Sequence, residues 1–246
     1  MAATITLTND DDEFTTYVAR PEGEIRGAVI VIHEIWGLVD NITGIADRFA
    51  AEGYLALAPD ILSHIGVDAN VGLELQQIMF ATDEKVRSDG QPRLREALAP
   101  LQSPEYNDWA IGSLKAVLDY LAAEPGVDGR IAVVGFCFGG SYSFALASAD
   151  SRIRAAVPFY GSGPSAEATK TIGCPVLAFY GATDESLMTA LPEVTAAMEN
   201  AGVDFEAKVY DDAGHAFFND TNQYTYNAAD AADAWTRTLE FLGAKL

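Results

Sequence analysis

Cys137 lies in a glycine-rich turn of the kind that presents a nucleophile. Residues 135–140 read Gly-Phe-Cys-Phe-Gly-Gly and stand between an apolar run and a stretch of small and apolar residues. This is the pattern of a nucleophile elbow with Cys in place of Ser, a strained turn in which side chains larger than glycine would collide with the backbone. The N-terminus of the following helix would favour a thiolate there. The alternative is a structural cysteine buried in a turn, and the spacing favours the elbow.

An acid and a histidine follow Cys137 in the order that a catalytic triad requires. Asp184 and His215 each come shortly after a short apolar run, as residues at the carboxyl ends of strands do. Nucleophile, acid and histidine in this order are typical of α/β-hydrolases. The other two histidines, His33 and His64, do not fit the order, and we expect structural or surface roles for them. The order therefore predicts a triad of Cys137, Asp184 and His215.

A loop far upstream is a candidate for the oxyanion hole. Residues 33–37 read His-Glu-Ile-Trp-Gly and follow an apolar run, where this fold draws one of its two oxyanion donors. We expect the N–H groups of Ile35 and Phe138 to converge on the oxygen that becomes negatively charged. Glu34 is either a surface acid or a carboxylate beside the nucleophile, and its neighbourhood favours the second. Because a charged carboxylate would repel the thiolate, we predict that Glu34 accepts a hydrogen bond from the resting Cys137 thiol and takes its proton when substrate enters.

The segments that must position these residues alternate between strand and helix. Six short apolar runs, mostly without polar alternation, have the length of strands buried on both faces. Stretches with helical spacing separate them, several closed by glycine. We predict an antiparallel pair of strands at 4–8 and 14–20, buried strands at 28–32, 54–58, 131–134, 155–160, 176–180 and 205–210, and helices at 42–52, 108–123, 140–149, 186–201 and 222–242. The alternation predicts an α/β fold with a mostly parallel central sheet and helices on both faces.

Residues 61–106 interrupt this alternation. They contain a weaker helical signal at 73–85, followed by a polar stretch that includes proline. We interpret them as an excursion over one end of the sheet that helps to shape a pocket. Because the chain contains no Gly/Ser linker, repeat or low-complexity tract, we predict that residues 1–246 form a single domain.

The acidic composition limits the expected partners. Thirty-six Asp and Glu residues against 15 Lys and Arg give a formal net charge of -21, which would repel phosphate backbones and anionic lipid headgroups. We therefore expect no binding to nucleic acid or to a membrane. The apolar runs are shorter than the roughly 20 residues of a membrane-spanning helix, and residues 1–12 lack the pattern of a secretory signal. These features predict a cytoplasmic protein in which Cys137 and Cys174 remain thiols.

Two cofactor-dependent alternatives fail on spacing. Residues 161–166 fit Gly-x-Gly-x-x-Ala, and Asp184 follows at about 20 residues, as in a dinucleotide site. Only residues 167–172 remain for the crossover helix, fewer than the roughly ten to twelve that such a crossover needs. In the zinc-protease motif H-E-x-x-H, a second histidine would stand where this chain has Gly37. We therefore expect no cofactor and no metal.

These motifs together resemble the dienelactone hydrolase family, a branch of the α/β-hydrolases with a cysteine nucleophile. The similarity spans nearly the whole chain, through residues 33–37, 58–60, 135–140, 159–161, 181–184 and 213–215. It implies that Cys137 is the nucleophile, His215 the base and Asp184 the acid that orients it. It also implies that Glu34 lies near the resting thiol. Family members that degrade anionic lactones carry an arginine a few residues beyond the catalytic histidine, whereas residues 216–221 here contain no base.

The sequence therefore predicts a cofactor-free hydrolase of carboxylic esters or lactones that works through a thioester on Cys137. The expected partner is a small-molecule ester or lactone, and the protein is expected to be a monomer or a homodimer. Trp36, Phe217 and Phe218 flank the predicted site, and we predict that they contact substrate, with core packing as the alternative. The competing function is a non-catalytic binding protein with a hydrolase-like fold. The complete Cys, Asp and His set argues against it.

Overall fold

An eight-stranded sheet forms the centre of the computed structural model, which describes residues 2–246. The strands are β1 Ala2–Asn9, β2 Asp12–Ala19, β3 Gly27–Ile32, β4 Tyr54–Pro59, β5 Ile131–Phe136, β6 Ile153–Phe159, β7 Val176–Gly181 and β8 Phe205–Tyr210. Their spatial order is β1-β2-β4-β3-β5-β6-β7-β8. Strands β3 to β8 run parallel, and β2 is antiparallel to both of its neighbours.

Eight α-helices surround this sheet in the described residues. They are α1 Asp40–Ala51, α2 Ala69–Met79, α3 Glu84–Leu98, α4 Pro104–Ala123, α5 Phe138–Ala149, α6 Ala166–Thr169, α7 Glu185–Ala201 and α8 Ala228–Lys245. The side chains of β3 alternate between two separate cores. Ile30 packs with apolar residues of α4 and α5 on one face, and Val31 packs with residues of α1 and α8 on the other. The predicted fold class, an α/β-hydrolase fold with helices on both faces of a mostly parallel sheet, is confirmed.

The carboxyl ends of four parallel strands meet at one edge of the sheet. The loop 33–37 follows β3, Cys137 follows β5, Asp184 follows β7 and His215 follows β8 by a short turn. Parallel strands bring their carboxyl ends together because all of them run in the same direction, and ligand sites of open α/β sheets form there. The sheet therefore gathers residues that are far apart in the sequence.

The excursion 61–106 differs in detail from its prediction. The prediction of a single helix at 73–85 is wrong. Two helices, α2 and α3, occupy this region, and Asp83 caps the N-terminus of the second. The polar stretch after it is helical as well, and α3 contains Pro92. The helix predicted from 222 begins only at Ala228, because the Asn227 side chain caps it. In both places an Asp or Asn side chain, rather than the apolar pattern, decides where the helix begins.

The excursion packs against the loop 33–37. A Cβ added to Gly72 of α2 would lie 1.8 Å from the carbonyl oxygen of Trp36, so the helix backbone touches that loop directly. The rings of Trp36 and Phe80 meet edge to face at 6.0 Å. The excursion therefore packs directly against the candidate oxyanion loop at Trp36.

We expect Gly135→Ala to destabilise the fold. A Cβ at Gly135 would lie 2.0 Å from the Gly139 carbonyl oxygen. Relieving this clash would require the backbone of the elbow to move. The cost should be about 3 kcal/mol or more, which lowers the melting temperature by about 6–12 °C in a domain of this size. Gly44→Ala in α1 is the matched control. It meets no atom within 4 Å, and it should leave the melting temperature unchanged or raise it. Equal melting temperatures for the two variants would contradict this account.

Candidate active site

The backbone at Cys137 is held in a strained conformation between β5 and α5. Its φ of 55° and ψ of -112° lie outside the regions that a cysteine favours. The Cys137 N–H donates a hydrogen bond to the carbonyl oxygen of Phe159 at 3.0 Å, which fixes the turn to the neighbouring strand β6. A Cβ at Gly139 would lie 2.2 Å from the carbonyl oxygen of Ile32, so only glycine allows α5 to begin this close to β3. The predicted elbow is therefore present, with the sulfur at its apex.

Cys137, His215 and Asp184 form a continuous hydrogen-bonded series. His215 Nε2 lies 3.0 Å from the Cys137 Sγ, and His215 Nδ1 lies 2.6 Å from Asp184 Oδ2. Because a carboxylate only accepts, the proton of the neutral imidazole sits on Nδ1, and Nε2 is left free to accept from the thiol. The second oxygen of Asp184 accepts the N–H of Leu187 at 3.3 Å and caps α7. The structure brings the three predicted residues together with the geometry of nucleophile, base and orienting acid.

The N–H groups of Ile35 and Phe138 both act on the Cys137 sulfur. Each lowers the pKa of the thiol by interacting with its charged form. The two donors are held side by side because the Gly139 N–H donates to the His33 carbonyl oxygen at 3.1 Å. An oxygen bound at the carbon that Cys137 attacks would lie beside the same pair of donors.

Burial nevertheless keeps Cys137 protonated at rest. The pKa of the thiol is raised to about 12, chiefly by burial and in part by the carboxylates of Glu34 and Asp184, while the Phe138 and Ile35 N–H groups lower it. The sequence suggested that the helix N-terminus would favour a thiolate. That expectation is outweighed here because desolvation and two acids disfavour negative charge on sulfur.

Glu34 is buried, with 3% of its surface exposed, and hydrogen-bonds to two neutral groups. The Tyr160 hydroxyl donates to Oε1 at 3.1 Å and the Asn219 amide donates to Oε2 at 2.7 Å. Burial raises the pKa of Glu34, and the two donors partly oppose that rise. The predicted hydrogen bond from the Cys137 thiol to Glu34 is not formed, since the thiol faces His215 instead. Glu34 acts on the sulfur through its charge.

The family of this chain follows from a match over most of its length. The family model described as "Dienelactone hydrolase family" matches residues 14–246. The chain belongs to the dienelactone hydrolase family. It is 35% identical to a protein of Saccharolobus solfataricus named "Putative carboxymethylenebutenolidase", over 95% of both chains.

Solved structures show the same relationship. A crystal structure from Klebsiella pneumoniae, named "Putative Dienelactone Hydrolase", superposes with a TM-score of 0.82 at 27% identity and covers 98% of each chain. A dienelactone hydrolase-like promiscuous phosphotriesterase from metagenomic libraries superposes with a TM-score of 0.73 at 25% identity, over 100% of this chain and 98% of the other. The protein therefore belongs to a family of hydrolases, and its candidate site lies where the predicted motifs of that family meet.

Reasoning from the sequence missed two residues of the candidate site. Tyr160 and Asn219 form the hydrogen bonds of Glu34, and neither was singled out as a site residue. Tyr160 has a φ of 38°, and Ala216, next to His215, has a φ of 61°, so three of the five non-glycine residues with positive φ in residues 2–246 lie at the site, Cys137 among them. The sequence signal for Asn219 is its position four residues beyond His215, in a segment, residues 216–221, that contains no base.

The predicted substrate-contacting aromatics lie in the core. Phe217 has no exposed surface and Phe218 has 3%, and both pack among aromatic rings of β6 and its surroundings. Their burial favours core packing over substrate contact, because both rings lie in the core that includes residues of α1 and α8. Trp36 is 5% exposed and packs against Phe80, so its contact with substrate stays a prediction.

Residues 2–246 contain no cluster of three or more His, Cys, Asp or Glu side chains placed to hold a metal ion. In the same residues, no helix is both long and apolar enough to cross a membrane. Both cysteines are unpaired thiols, and Cys174 is buried two residues before β7.

We expect Glu34→Gln to speed the alkylation of Cys137. The Glu34 carboxylate raises the pKa of the thiol, so removing its charge raises the thiolate fraction at a given pH. The increase in the iodoacetamide rate should be largest at alkaline pH, about tenfold, and should fall towards onefold at lower pH, because burial raises the pKa of Glu34 and the carboxyl protonates early. Glu185→Gln makes the same charge change on an exposed residue at the start of α7 and should leave the rate unchanged. Equal rates for wild type and Glu34→Gln across pH 6–10 would contradict this role.

Proposed function

We propose that this protein hydrolyses carboxylic esters or lactones through a thioester on Cys137, without a cofactor. The observation that carries the proposal is the unbroken series from Asp184 through His215 to the Cys137 sulfur, with contacts of 2.6 and 3.0 Å. Nucleophile, base and orienting acid at these distances are what acyl transfer requires. Membership of a hydrolase family supports the same class of reaction.

The first half-reaction forms the thioester. His215 Nε2 takes the proton of Cys137 as the sulfur attacks the carbonyl carbon, and the carbonyl oxygen becomes an oxyanion that the Ile35 and Phe138 N–H groups stabilise. Each such donor contributes about 2.7 to 4 kcal/mol. Collapse of the intermediate breaks the bond to the leaving oxygen, which receives the proton from His215. An ester gives an alcohol and an acyl-Cys137 thioester at this stage, whereas a lactone ring opens and the alcohol or enol stays attached to the acyl group on Cys137.

The second half-reaction returns the enzyme to its starting state. His215 takes a proton from water, which attacks the thioester carbon through a second oxyanion. Breaking the carbon–sulfur bond releases the carboxylic acid, and the sulfur recovers its proton. The tetrahedral intermediate formed by a thiolate expels an activated oxygen more readily than an amide nitrogen. Enol lactones and aryl esters are therefore the favoured substrates.

In this proposal Glu34 does not take the proton of Cys137 but keeps the thiol protonated between turnovers. Its charge favours the neutral thiol at rest, and a neutral thiol resists oxidation between turnovers. The proton then leaves sulfur only as the substrate is attacked, and His215 Nε2 is the acceptor within reach. Glu34 thus sets when the nucleophile becomes charged.

The surroundings of the site favour a substrate without a negative charge. Asn219, four residues beyond His215, is neutral and is already bonded to Glu34. The arginines of the excursion are bound within it: Arg87 donates to two backbone carbonyls, Arg93 pairs with Glu74, and Arg95 donates to a backbone carbonyl. The two acids beside the sulfur and a net charge of -21 oppose the approach of an anion.

We expect Cys137→Ala to abolish hydrolysis in a screen of esters and lactones. Loss of the nucleophile should lower kcat by about 10⁴-fold or more. Cys174→Ala removes the other thiol, which is buried and has a raised pKa of about 11, and it should keep full activity. Peptide mapping after iodoacetamide treatment should find Cys137 modified in step with the loss of activity. Turnover that survives complete alkylation of Cys137 would exclude the thioester route, and no turnover of any ester by the wild type would support the non-catalytic alternative.

We expect neutral aryl or short-chain esters to have a higher kcat/KM than anionic dienelactones of similar size. The reason is electrostatic, so the disadvantage of the anion should shrink as salt screens the charges. Steady-state kinetics at about 0.02 and 0.5 M KCl with one neutral and one anionic substrate would measure both effects. A higher kcat/KM for the dienelactone at both salt concentrations would show that a cationic subsite exists.

A further inference from the structure

His33, the first residue of the loop 33–37, is a buried histidine that the proposed mechanism does not use. It has no exposed surface and lies between Ile32, the last residue of β3, and Glu34. Its Nδ1 lies 2.7 Å from the Glu34 carbonyl oxygen, and its Nε2 lies 3.2 Å from the Ile61 backbone nitrogen. Both ring nitrogens are therefore engaged by backbone atoms, one within the loop 33–37 and one in the segment that follows β4.

These contacts fix the tautomer of the ring. The Ile61 N–H is a donor, so Nε2 must accept, and the single proton of the neutral ring sits on Nδ1 and is donated to the Glu34 carbonyl. Burial lowers the pKa of His33 and outweighs the opposing effect of the Asp60 charge, so the ring is neutral. A neutral ring of this tautomer is the form that can make both hydrogen bonds.

The bond to the Glu34 carbonyl sets the direction of the Ile35 N–H. Both groups belong to the same peptide unit, which is trans, so the C=O and the N–H point in opposite directions across one rigid plane. A donor that holds the carbonyl on one side therefore holds the N–H on the other side, where it acts on the Cys137 sulfur. The Gly37 N–H also donates to the same carbonyl, at 3.2 Å.

His33 also joins the two oxyanion donors to each other. Its backbone carbonyl accepts the Gly139 N–H at 3.1 Å, one residue beyond Phe138. Its ring stacks on the Phe138 ring, with centroids 5.9 Å apart and planes 7° from parallel. On its far side, the Ile61 segment is anchored by the Tyr106 hydroxyl, which donates to the Ile61 carbonyl at 2.8 Å.

We propose that His33 is the positioning residue of the oxyanion hole, whose Nδ1–H holds the Glu34–Ile35 peptide so that the Ile35 N–H faces the sulfur. This inference rests on the proposed function, because the oxyanion hole matters only if acyl transfer takes place. It assigns His33 a specific hydrogen bond that acts through Ile35, beyond the packing of a buried ring.

Two substitutions separate this bond from the packing. His33→Phe keeps an aromatic ring that can stack on Phe138 but removes both hydrogen bonds. His33→Asn loses the ring, yet its amide nitrogen is the same number of bonds from Cα as Nδ1 and can donate to the Glu34 carbonyl. Both variants leave the Ile61 N–H without its partner, so the difference between them reports on the Nδ1 bond. His64→Phe, a change of the same kind at a ring stacked on Trp109 at 3.8 Å, is the control outside the site.

In ester hydrolysis, His33→Phe should lower kcat by about 10- to 100-fold, because one of the two donors is no longer held in place. His33→Asn should recover kcat to within about fivefold of wild type, although losing the ring makes it the less stable of the two by melting temperature. His64→Phe should match wild type. A kcat for His33→Phe within about threefold of wild type, or values for the two His33 variants that follow their melting temperatures, would overturn the proposal.

The alkylation of Cys137 tests the same bond without any ester. Since the Ile35 N–H lowers the pKa of the thiol, His33→Phe should react with iodoacetamide at pH 8 about threefold more slowly than wild type, and His33→Asn should react at the wild-type rate. Equal rates for the two His33 variants would overturn the positioning role while leaving the hydrolase proposal intact. Absence of ester turnover in the wild type would overturn the hydrolase proposal, and the alkylation rates would still decide whether His33 orients the Ile35 N–H.

Discussion

The site depends on the backbone of one residue, Cys137, being held at a positive φ. A left-handed conformation is unfavourable for a residue with a side chain, so it persists only where the surroundings enforce it. Here the Cys137 N–H is tied to the carbonyl of Phe159, and glycines on both sides allow β5, β3 and α5 to approach within distances that no Cβ permits. The sulfur stands at the sheet edge as a result, and His215, the oxyanion donors and Glu34 are all arranged around it.

The same packing creates an electrostatic conflict that shapes the chemistry. A buried thiol beside Glu34 and Asp184 disfavours negative charge, whereas acyl transfer needs negative charge on sulfur and then on oxygen. In the proposed mechanism, preorganised neutral donors resolve this conflict: the Ile35 and Phe138 N–H groups face the place where charge would develop, and His215 would accept the proton at the moment of attack. In this proposal, charge is generated only during the reaction and is disfavoured at rest.

The oxyanion loop is supported from three directions, and each support comes from a different part of the chain. The Gly139 N–H fixes it to α5, the α2 backbone at Gly72 packs against Trp36, and His33 links it to the Ile61 segment. The excursion 61–106 is therefore more than a cover over the sheet, because its first residues form part of the support of the candidate oxyanion loop. A donor that must point within a small angle of its target needs such support, since a misplaced N–H loses most of its stabilising effect.

The sequence by itself determined the fold class, the elbow and the order of the triad, because these are written in local signals. Unbroken apolar runs specify parallel strands, glycines specify the turn at Cys137, and the direction of parallel strands places Asp184 and His215 at the same edge. The tertiary structure decided what depends on contacts between distant segments. Glu34 meets Tyr160 and Asn219 across 126 and 185 residues of chain, so neither its partners nor its burial can be obtained from a local pattern. The pKa of Cys137, the burial of Phe217 and Phe218, and the hydrogen bonds of His33 were decided in the same way, because desolvation and hydrogen-bond partners exist only once the chain has packed.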